Sequence, residues 1–198
     1  SQRFFEKIRE EIPGIVIENC SSGGHRLEPS MMQLVSQASF SDAHETKAIP
    51  LIAANMHRGI LPQQSQIWAV LRAEDSKERI YYSMAATFFG RMCLSGDIYD
   101  LNETQWQLVE EGIAFYNRVS DIIRDGMTVR CDYSTTQYNE PIGSQLVIRR
   151  LKNRNLAIYH RFSDSEPVDG TFLNGHTVLA EYGEAQQDFS AKAWLYID

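Results

Sequence analysis

Apolar residues in the first 125 positions switch repeatedly between helical spacing and short strand-like runs. The pattern predicts helices at residues 4–12, 31–34, 50–58, 74–87 and 102–126, and strands at residues 15–17, 35–41, 66–71 and 88–98. Strand and helix therefore alternate about every 30 residues, which is typical of βα units around a parallel sheet.

The longest of these helices has clear signals at both ends. Asn102 is a suitable N-cap with Gln105 three residues later, and Gly126 ends the apolar stripe. We therefore predict a capping box at Asn102 and a long amphipathic helix behind it.

The pattern changes at Met127 to short alternating runs separated by turns rich in Gly, Pro and Asn. The runs cover residues 128–133, 145–148, 156–159, 176–179 and 191–197. We predict two domains, an α/β domain at residues 1–126 and an antiparallel β-sandwich domain at residues 127–198.

The number of βα units limits the fold of the first domain. A complete (β/α)8 barrel takes on the order of 250 residues, so residues 1–126 hold about half of one. Open sheet edges are seldom left uncovered, and the sequence begins within a helical pattern. We therefore expect the chain to be part of a longer protein. The alternatives are a small open α/β sheet packed on the sandwich, or a dimer that closes the barrel.

Composition and charge exclude several classes of partner. The 198 residues are 43% hydrophobic, and their formal charge of −7 does not favour nucleic acid or an anionic membrane surface. The most apolar stretch, residues 48–56, is far shorter than the roughly 18 residues that suggest a membrane span. Three widely spaced cysteines indicate neither a disulfide framework nor a metal knuckle, so we expect a reducing compartment.

The most distinctive segment lies at the end of the first predicted strand. It consists of Glu18, Asn19, Cys20, Ser21, Ser22, Gly23, Gly24, His25 and Arg26, and Asp42 follows Cys20 by 22 residues, near the end of the next strand. Parallel-sheet folds place their sites at such strand ends. This motif, the arginine that follows it and the spacing to Asp42 together resemble the pattern of glycoside hydrolase family 36, the microbial α-galactosidases. The resemblance implies the later half of that family's catalytic barrel, followed by its C-terminal β domain.

The resemblance also implies roles for individual residues. Asp42 matches the general acid/base of a retaining mechanism, whereas the family's nucleophilic aspartate lies on an earlier strand, upstream of residue 1. We therefore expect these 198 residues alone not to hydrolyse glycosides. Cys20, Gly23 and Gly24 match residues that line the sugar subsite, and Arg26 is a candidate for orienting a catalytic carboxylate.

Each of these residues also has a purely structural interpretation. Cys20 resembles a small buried hydrophobe, a glycine pair is usually a turn, and Arg26 suits a structural ion pair. Trp68 is a further candidate for binding the sugar, although a tryptophan on a strand is more often part of the core.

Metal and nucleophilic chemistry are weakly supported. His25, His44 and His57 with Glu45 lack a metal-ligand spacing, so we predict no metal or cofactor and expect exposed histidines. Cys20 with His25 or His44 would lack a third orienting residue for a thiol mechanism.

Two functions from different classes remain. The first, which the resemblance implies, is part of a retaining α-galactosidase-like hydrolase that acts on raffinose-type or melibiose-type sugars in the cytoplasm and forms homo-oligomers. The second is a non-catalytic carbohydrate-binding or interaction module. Glu28 and the residues after Asp42 depart from the family pattern, which leaves open a divergent branch that acts on longer α-galactosides or on α-N-acetylgalactosaminides.

Overall fold

A computed structural model describes residues 2–20, 25–39, 47–133, 137 and 139–198. Its helices are α1 (Gln2–Glu11), α2 (Pro29–Met32), α3 (Ile49–Met56), α4 (Lys77–Ala86) and α5 (Glu103–Asp125). Its strands are β1 (Glu18–Asn19), β2 (Gln37–Ser39), β3 (Ser65–Leu71), β4 (Arg91–Gly96), β5 (Met127–Tyr133), β6 (Ser144–Leu151), β7 (Arg154–Arg161), β8 (Thr177–Glu184) and β9 (Ser190–Ile197). Short 3₁₀ turns cover Pro62–Gln64, Thr87–Phe89 and Gly170–Leu173.

The first four strands form one parallel sheet in the order β1-β2-β3-β4. This confirms the predicted α/β rhythm. The prediction of a buried strand at residues 15–17 is wrong, because the strand lies downstream at Glu18–Asn19 and Val16 is exposed. These two residues are the strand partners of β2, and the apolar run before them contacts the sheet through Ile17, whose carbonyl accepts from the backbone N–H groups of Ser36 and Gln37.

The two faces of the parallel sheet differ sharply in burial. Ile67, Ala69 and Leu71 on β3 are fully buried against the helices. The alternate residues Gln66 and Trp68 are half-buried and belong to the opposite face. Successive side chains on a strand point to opposite faces, so the first face is fully covered. The second, here called the open face, is covered only in part, because Val70 on it is buried while Gln66 and Trp68 are half-buried.

The last five strands form a single antiparallel sheet in the order β5-β6-β7-β9-β8. One face packs on α4 and α5 through Val147, Leu156 and Ile158. On the other face, Trp194 and its neighbours are covered by residues of the segment that contains the 3₁₀ turn. The antiparallel prediction is confirmed, and within the described residues the strands form one sheet where a sandwich was expected.

The hydrophobic core is continuous between the two sheets. It includes Ile67 of the parallel sheet, Phe88 and Val119 of the helical layer, and Leu195 of the antiparallel sheet. The boundary at residues 126 and 127 stays a prediction. Trp194 is buried and Trp106 packs against the core, as expected for packing residues. Within the described ranges, no helix combines the length and hydropathy needed to cross a bilayer.

Candidate functional site

The carboxyl ends of β1, β2, β3 and β4 lie at one edge of the parallel sheet, because all four strands run in the same direction. Cys20 directly follows β1, Arg72 follows β3 and Asp97 follows β4. Folds of this kind assemble their sites at that edge. Asp42, Gly23 and Gly24 lie outside the described residues, so their predicted roles stay predictions.

A row of hydrogen-bonded polar side chains crosses the open face at its amino end. The amide Nε2 of Gln37 donates to Oε2 of Glu18 over 2.7 Å, and Oε1 of Gln37 accepts from the Arg91 guanidinium. Glu18 and Arg91 are exposed. The row therefore links β1, β2 and β4 through polar side chains on the open face, and the contact between Gln37 and Arg91 spans β3.

Trp68 lies on the same open face, nearer the carboxyl edge. Its indole Nε1 donates to Oγ of Ser39 over 3.3 Å, and Cys93 is its register partner on β4. The side chain is half-buried and also contacts the core. Trp68 thus has a polar partner on the open face and an apolar ring, which suits the predicted role at a sugar site without testing it.

The loop after β1 is tied back onto the strand that it leaves. The amide Nδ2 of Asn19 donates to the backbone carbonyl of Arg26 over 2.8 Å, and Arg26 has a positive φ of 61°. Cys20 is exposed, so the interpretation of Cys20 as a small buried hydrophobe is wrong. The side chains of Cys20 and Arg26 are both accessible at this edge.

An ion pair that the sequence analysis did not single out joins the ends of β3 and β4. Nη1 of Arg72 lies 3.3 Å from Oδ1 of Asp97. The two-residue period along β3 could have placed Arg72 on the face of Trp68. The proximity of Arg72 and Asp97, however, depends on the register between two strands, which no local pattern reveals.

His57 corrects the expectation of exposed histidines. Its Nε2 lies 2.6 Å from the carbonyl oxygen of Phe89, and burial lowers its pKa to about 4. Phe89 immediately precedes the amino end of β4, so His57 lies at the edge opposite to the candidate site. His25 is exposed, while His44 and Glu45 fall outside the described residues. Among the residues described, no group of His, Cys, Asp or Glu is arranged to hold a metal ion.

Comparison with known proteins identifies the family. The family model described as Melibiase matches residues 2–126, the segment that contains the parallel sheet and α5. The chain belongs to the melibiase family. This confirms the resemblance to the family 36 α-galactosidases.

Individual relatives agree with this membership. α-Galactosidase AgaA of Geobacillus stearothermophilus is 28% identical over 141 residues, which are 65% of this chain and 18% of that protein. A structure of an AgaA variant matches 98% of this chain and 30% of its own, with 18% identity and a TM-score of 0.79. An α-galactosidase structure from Lactobacillus brevis matches equal shares with 18% identity and a TM-score of 0.74.

A more distant structure also shares the fold. Cyclic α-maltosyl-(1→6)-maltose hydrolase from Arthrobacter globiformis covers all of this chain and 53% of its own, with 12% identity and a TM-score of 0.60.

The chain spans about a fifth of the curated relative AgaA and less than a third of the α-galactosidase structures.

Proposed function

We propose that this chain forms the later half of the (β/α)8 catalytic barrel, and the following β domain, of a retaining α-galactosidase-type glycoside hydrolase. The observation that carries the proposal is a coincidence of two boundaries. The family match ends at residue 126, and the parallel sheet with its helices ends there too. The motif that contains Cys20 and the candidate Trp68 both belong to this matched segment.

The substrate class that we propose is an oligosaccharide with a terminal α-galactose, of the raffinose or melibiose type. Variants of the Geobacillus α-galactosidase AgaA have been solved with raffinose and with stachyose. Both ligands contain sugar beyond the terminal residue, so a site of this kind accepts an extended leaving group.

In this proposal Asp42 is the general acid/base. As an acid it protonates the glycosidic oxygen, and as a base it then activates the water that hydrolyses the glycosyl-enzyme. The nucleophile is a second carboxylate, about 5 Å away in a retaining enzyme, on a barrel strand upstream of residue 1. Cys20, Gly23 and Gly24 would line the galactose site, Arg26 would orient a carboxylate, and Trp68 would contact the sugar.

The remaining partners follow from the same proposal. In the complete protein, the strands of the upstream half of the barrel would extend this sheet. That half would also cover the open face. The reaction needs no cofactor or metal, because two carboxylates supply both the covalent and the proton-transfer steps. We also propose that the complete protein acts in the cytoplasm as a homo-oligomer.

The role of Asp42 is tested in the complete protein with the variant Asp42→Asn. Hydrolysis of substrates with poor leaving groups, such as melibiose, should fall by about 100-fold or more, because their departure needs a proton. Asp164→Asn is the matched control, since Asp164 is exposed near the antiparallel sheet and its positive φ of 49° suits asparagine. Unchanged hydrolysis of melibiose by Asp42→Asn would overturn the assignment, and an unsubstituted complete protein that binds melibiose without hydrolysing it would favour a carbohydrate-binding module.

The missing nucleophile has its own consequence. We expect the isolated 198-residue chain not to hydrolyse α-galactosides, because one carboxylate cannot perform both steps of a retaining mechanism. Purified chain is assayed with an aryl α-galactoside, with the complete protein as positive control. Turnover by the isolated chain would show that both carboxylates lie within these residues.

A further inference from the structure

Three side chains of different chemistry lie at the carboxyl ends of β3 and β4. Arg72 and Asp97 form the ion pair described above, and Tyr99 follows in the loop between β4 and α5. Tyr99 is 96% exposed, more than any other large hydrophobic or aromatic residue in the described part of the chain. These three residues are here called the edge residues.

The edge residues of the ion pair belong to the open face of the sheet. Trp68 of β3 pairs with Cys93 of β4, and both are half-buried on that face. Two further steps of the two-residue period bring Arg72 opposite Asp97, and the 3.3 Å contact shows that these side chains meet. The ion pair therefore lies on the face of Trp68, four residues further along each strand, with the buried Val70 between Trp68 and Arg72.

The end of β4 is held firmly against β3. The backbone N–H of Asp97 donates to the carbonyl of Leu71 over 2.8 Å. Gly96 has a φ of 91°, and a Cβ at this position would lie 2.1 Å from the same carbonyl oxygen. Only glycine allows so close an approach, so the position of Asp97 is fixed by the backbone of both strands.

The end of β3 is fixed just as closely. The backbone N–H of Arg72 donates to the carboxylate of Asp75 over 2.8 Å. The side-chain amide of Gln105, in the first turn of α5, donates to the carbonyls of Ala73 and Asp75 over 3.1 and 3.0 Å. The loop that follows β3 is thus braced by α5, and the ion pair rests on rigid elements.

The ion pair remains available to a ligand. The side chains of Arg72 and Asp97 are 42% and 38% exposed, and ion pairs this exposed add little to stability. Within the described part of the chain, Oδ2 of Asp97 accepts no hydrogen bond. A carboxylate acceptor, a guanidinium donor and an exposed phenol ring are together suited to bind the hydroxyls and the flat face of a sugar ring.

We infer that Arg72, Asp97 and Tyr99 bind the leaving-group sugar of the oligosaccharide, the ring attached to the terminal galactose. This inference rests on the proposed function, because it names the residues that contact the substrate beyond the galactose site. Asp42 follows β2, which is the direct neighbour of β3 in the sheet. A ring on the far side of the bond that Asp42 protonates would therefore reach the ends of β3 and β4.

The test compares two substrates in the complete protein. Raffinose presents a sugar leaving group, whereas 4-nitrophenyl α-galactoside presents a small aromatic one. For Asp97→Ala and for Tyr99→Ala, the ratio of kcat/KM for raffinose to kcat/KM for the aryl substrate should fall by about tenfold, because only raffinose loses hydrogen bonds or stacking. Tyr99 is so exposed that Tyr99→Ala should fold normally. It therefore keeps the test valid if Asp97→Ala disturbs folding.

Two controls make the comparison specific. Asp100→Ala removes a neighbouring exposed carboxylate from the same loop and should leave the ratio unchanged, and Tyr99→Phe should retain it because the ring remains. An unchanged ratio in both Asp97→Ala and Tyr99→Ala would overturn the subsite. Where the unsubstituted complete protein hydrolyses neither substrate, the proposed function itself fails, and the subsite fails with it.

Discussion

At the scale of single residues, His57 is the clearest case of a side chain whose chemistry is set by its surroundings. The carbonyl of Phe89 can only accept, so His57 carries its proton on Nε2. Nδ1 then lies 3.4 Å from Nη1 of Arg149, which is itself buried. Burial chiefly lowers the pKa of His57 to about 4, and the positive charge of Arg149 lowers it further.

The lowered pKa of His57 predicts an acid-sensitive fold. Below about pH 6.5 His57 binds a proton in the unfolded chain but stays neutral in the folded chain. The contribution of neutral His57 to the free energy of unfolding is therefore fully present above that pH and is lost as the pH falls towards 4. The full loss is about 3 kcal/mol. The unfolding temperature of the complete protein should therefore fall less steeply between pH 6.5 and pH 4 in His57→Gln than in the parent.

A second buried histidine sets the limit of this comparison. His160 on β7 is fully buried, and burial lowers its pKa to about 3, so acid sensitivity should be reduced and not abolished in His57→Gln. Parallel curves of unfolding temperature against pH for the parent and His57→Gln would contradict the account of His57.

The same residues show what a sequence can reveal at this scale. The accessibility of Cys20 at a strand end and the position of Trp68 on the open face follow from strand periodicity and from the motif. The burial of His57 does not, because it depends on Phe89 and Arg149, which are distant in the chain. The ion pair of Arg72 with Asp97 likewise exists only once β3 and β4 are in register.

At the scale of elements, α5 is specified at both ends. Oδ1 of Asn102 accepts from the backbone N–H of Gln105 over 3.0 Å, and Oε1 of Gln105 accepts from the backbone N–H of Asn102 over 2.9 Å. At the other end, the buried Arg149 donates to the carbonyls of Ile122, Ile123 and Gly126. The N-terminal cap is visible in the sequence, whereas the C-terminal one comes from β6 and is not.

Removal of the N-cap tests how much this helix contributes. Asn102→Ala should lower the free energy of unfolding by about 1 kcal/mol, because the backbone N–H of Gln105 loses its acceptor. Asn117→Ala, the same substitution at an exposed position inside α5, should not destabilise the protein, since alanine is the better helix former. Denaturant unfolding of the complete protein measures both, and equal losses in the two variants would contradict the capping role.

Most strands were predicted close to their positions, including β3 at Ser65–Leu71, and β1 is the exception. The antiparallel strands appear near the predicted positions because polar and apolar residues alternate along them. The parallel strand β1 is only two residues long, and its position is set by pairing with Gln37 and Ala38 rather than by the apolar run at residues 15–17. Hydrophobicity thus indicated an approach to the sheet, and the partner strand determined where pairing begins.

At the scale of the whole molecule, one core supports two sheets, and the open face of the parallel sheet is covered only in part within the described residues. The chain spans 30% of the α-galactosidase structures that it matches. In the proposed enzyme, the uncovered face with Glu18, Gln37 and Arg91 becomes the interior of a barrel. The α/β class was predictable from the rhythm of elements, whereas the closure of a barrel stays part of the proposal, because it would need further strands.

We propose Asp42 as the general acid/base of a retaining enzyme, and chemical rescue tests this role most directly. The complete protein with Asp42→Ala is supplied with 4-nitrophenyl α-galactoside and azide. Azide needs no general base, so it should accelerate turnover and yield α-galactosyl azide, because the upstream nucleophile still forms the glycosyl-enzyme. Formation of β-galactosyl azide would make Asp42 the nucleophile, and unimpaired hydrolysis without an azide product would remove it from the mechanism.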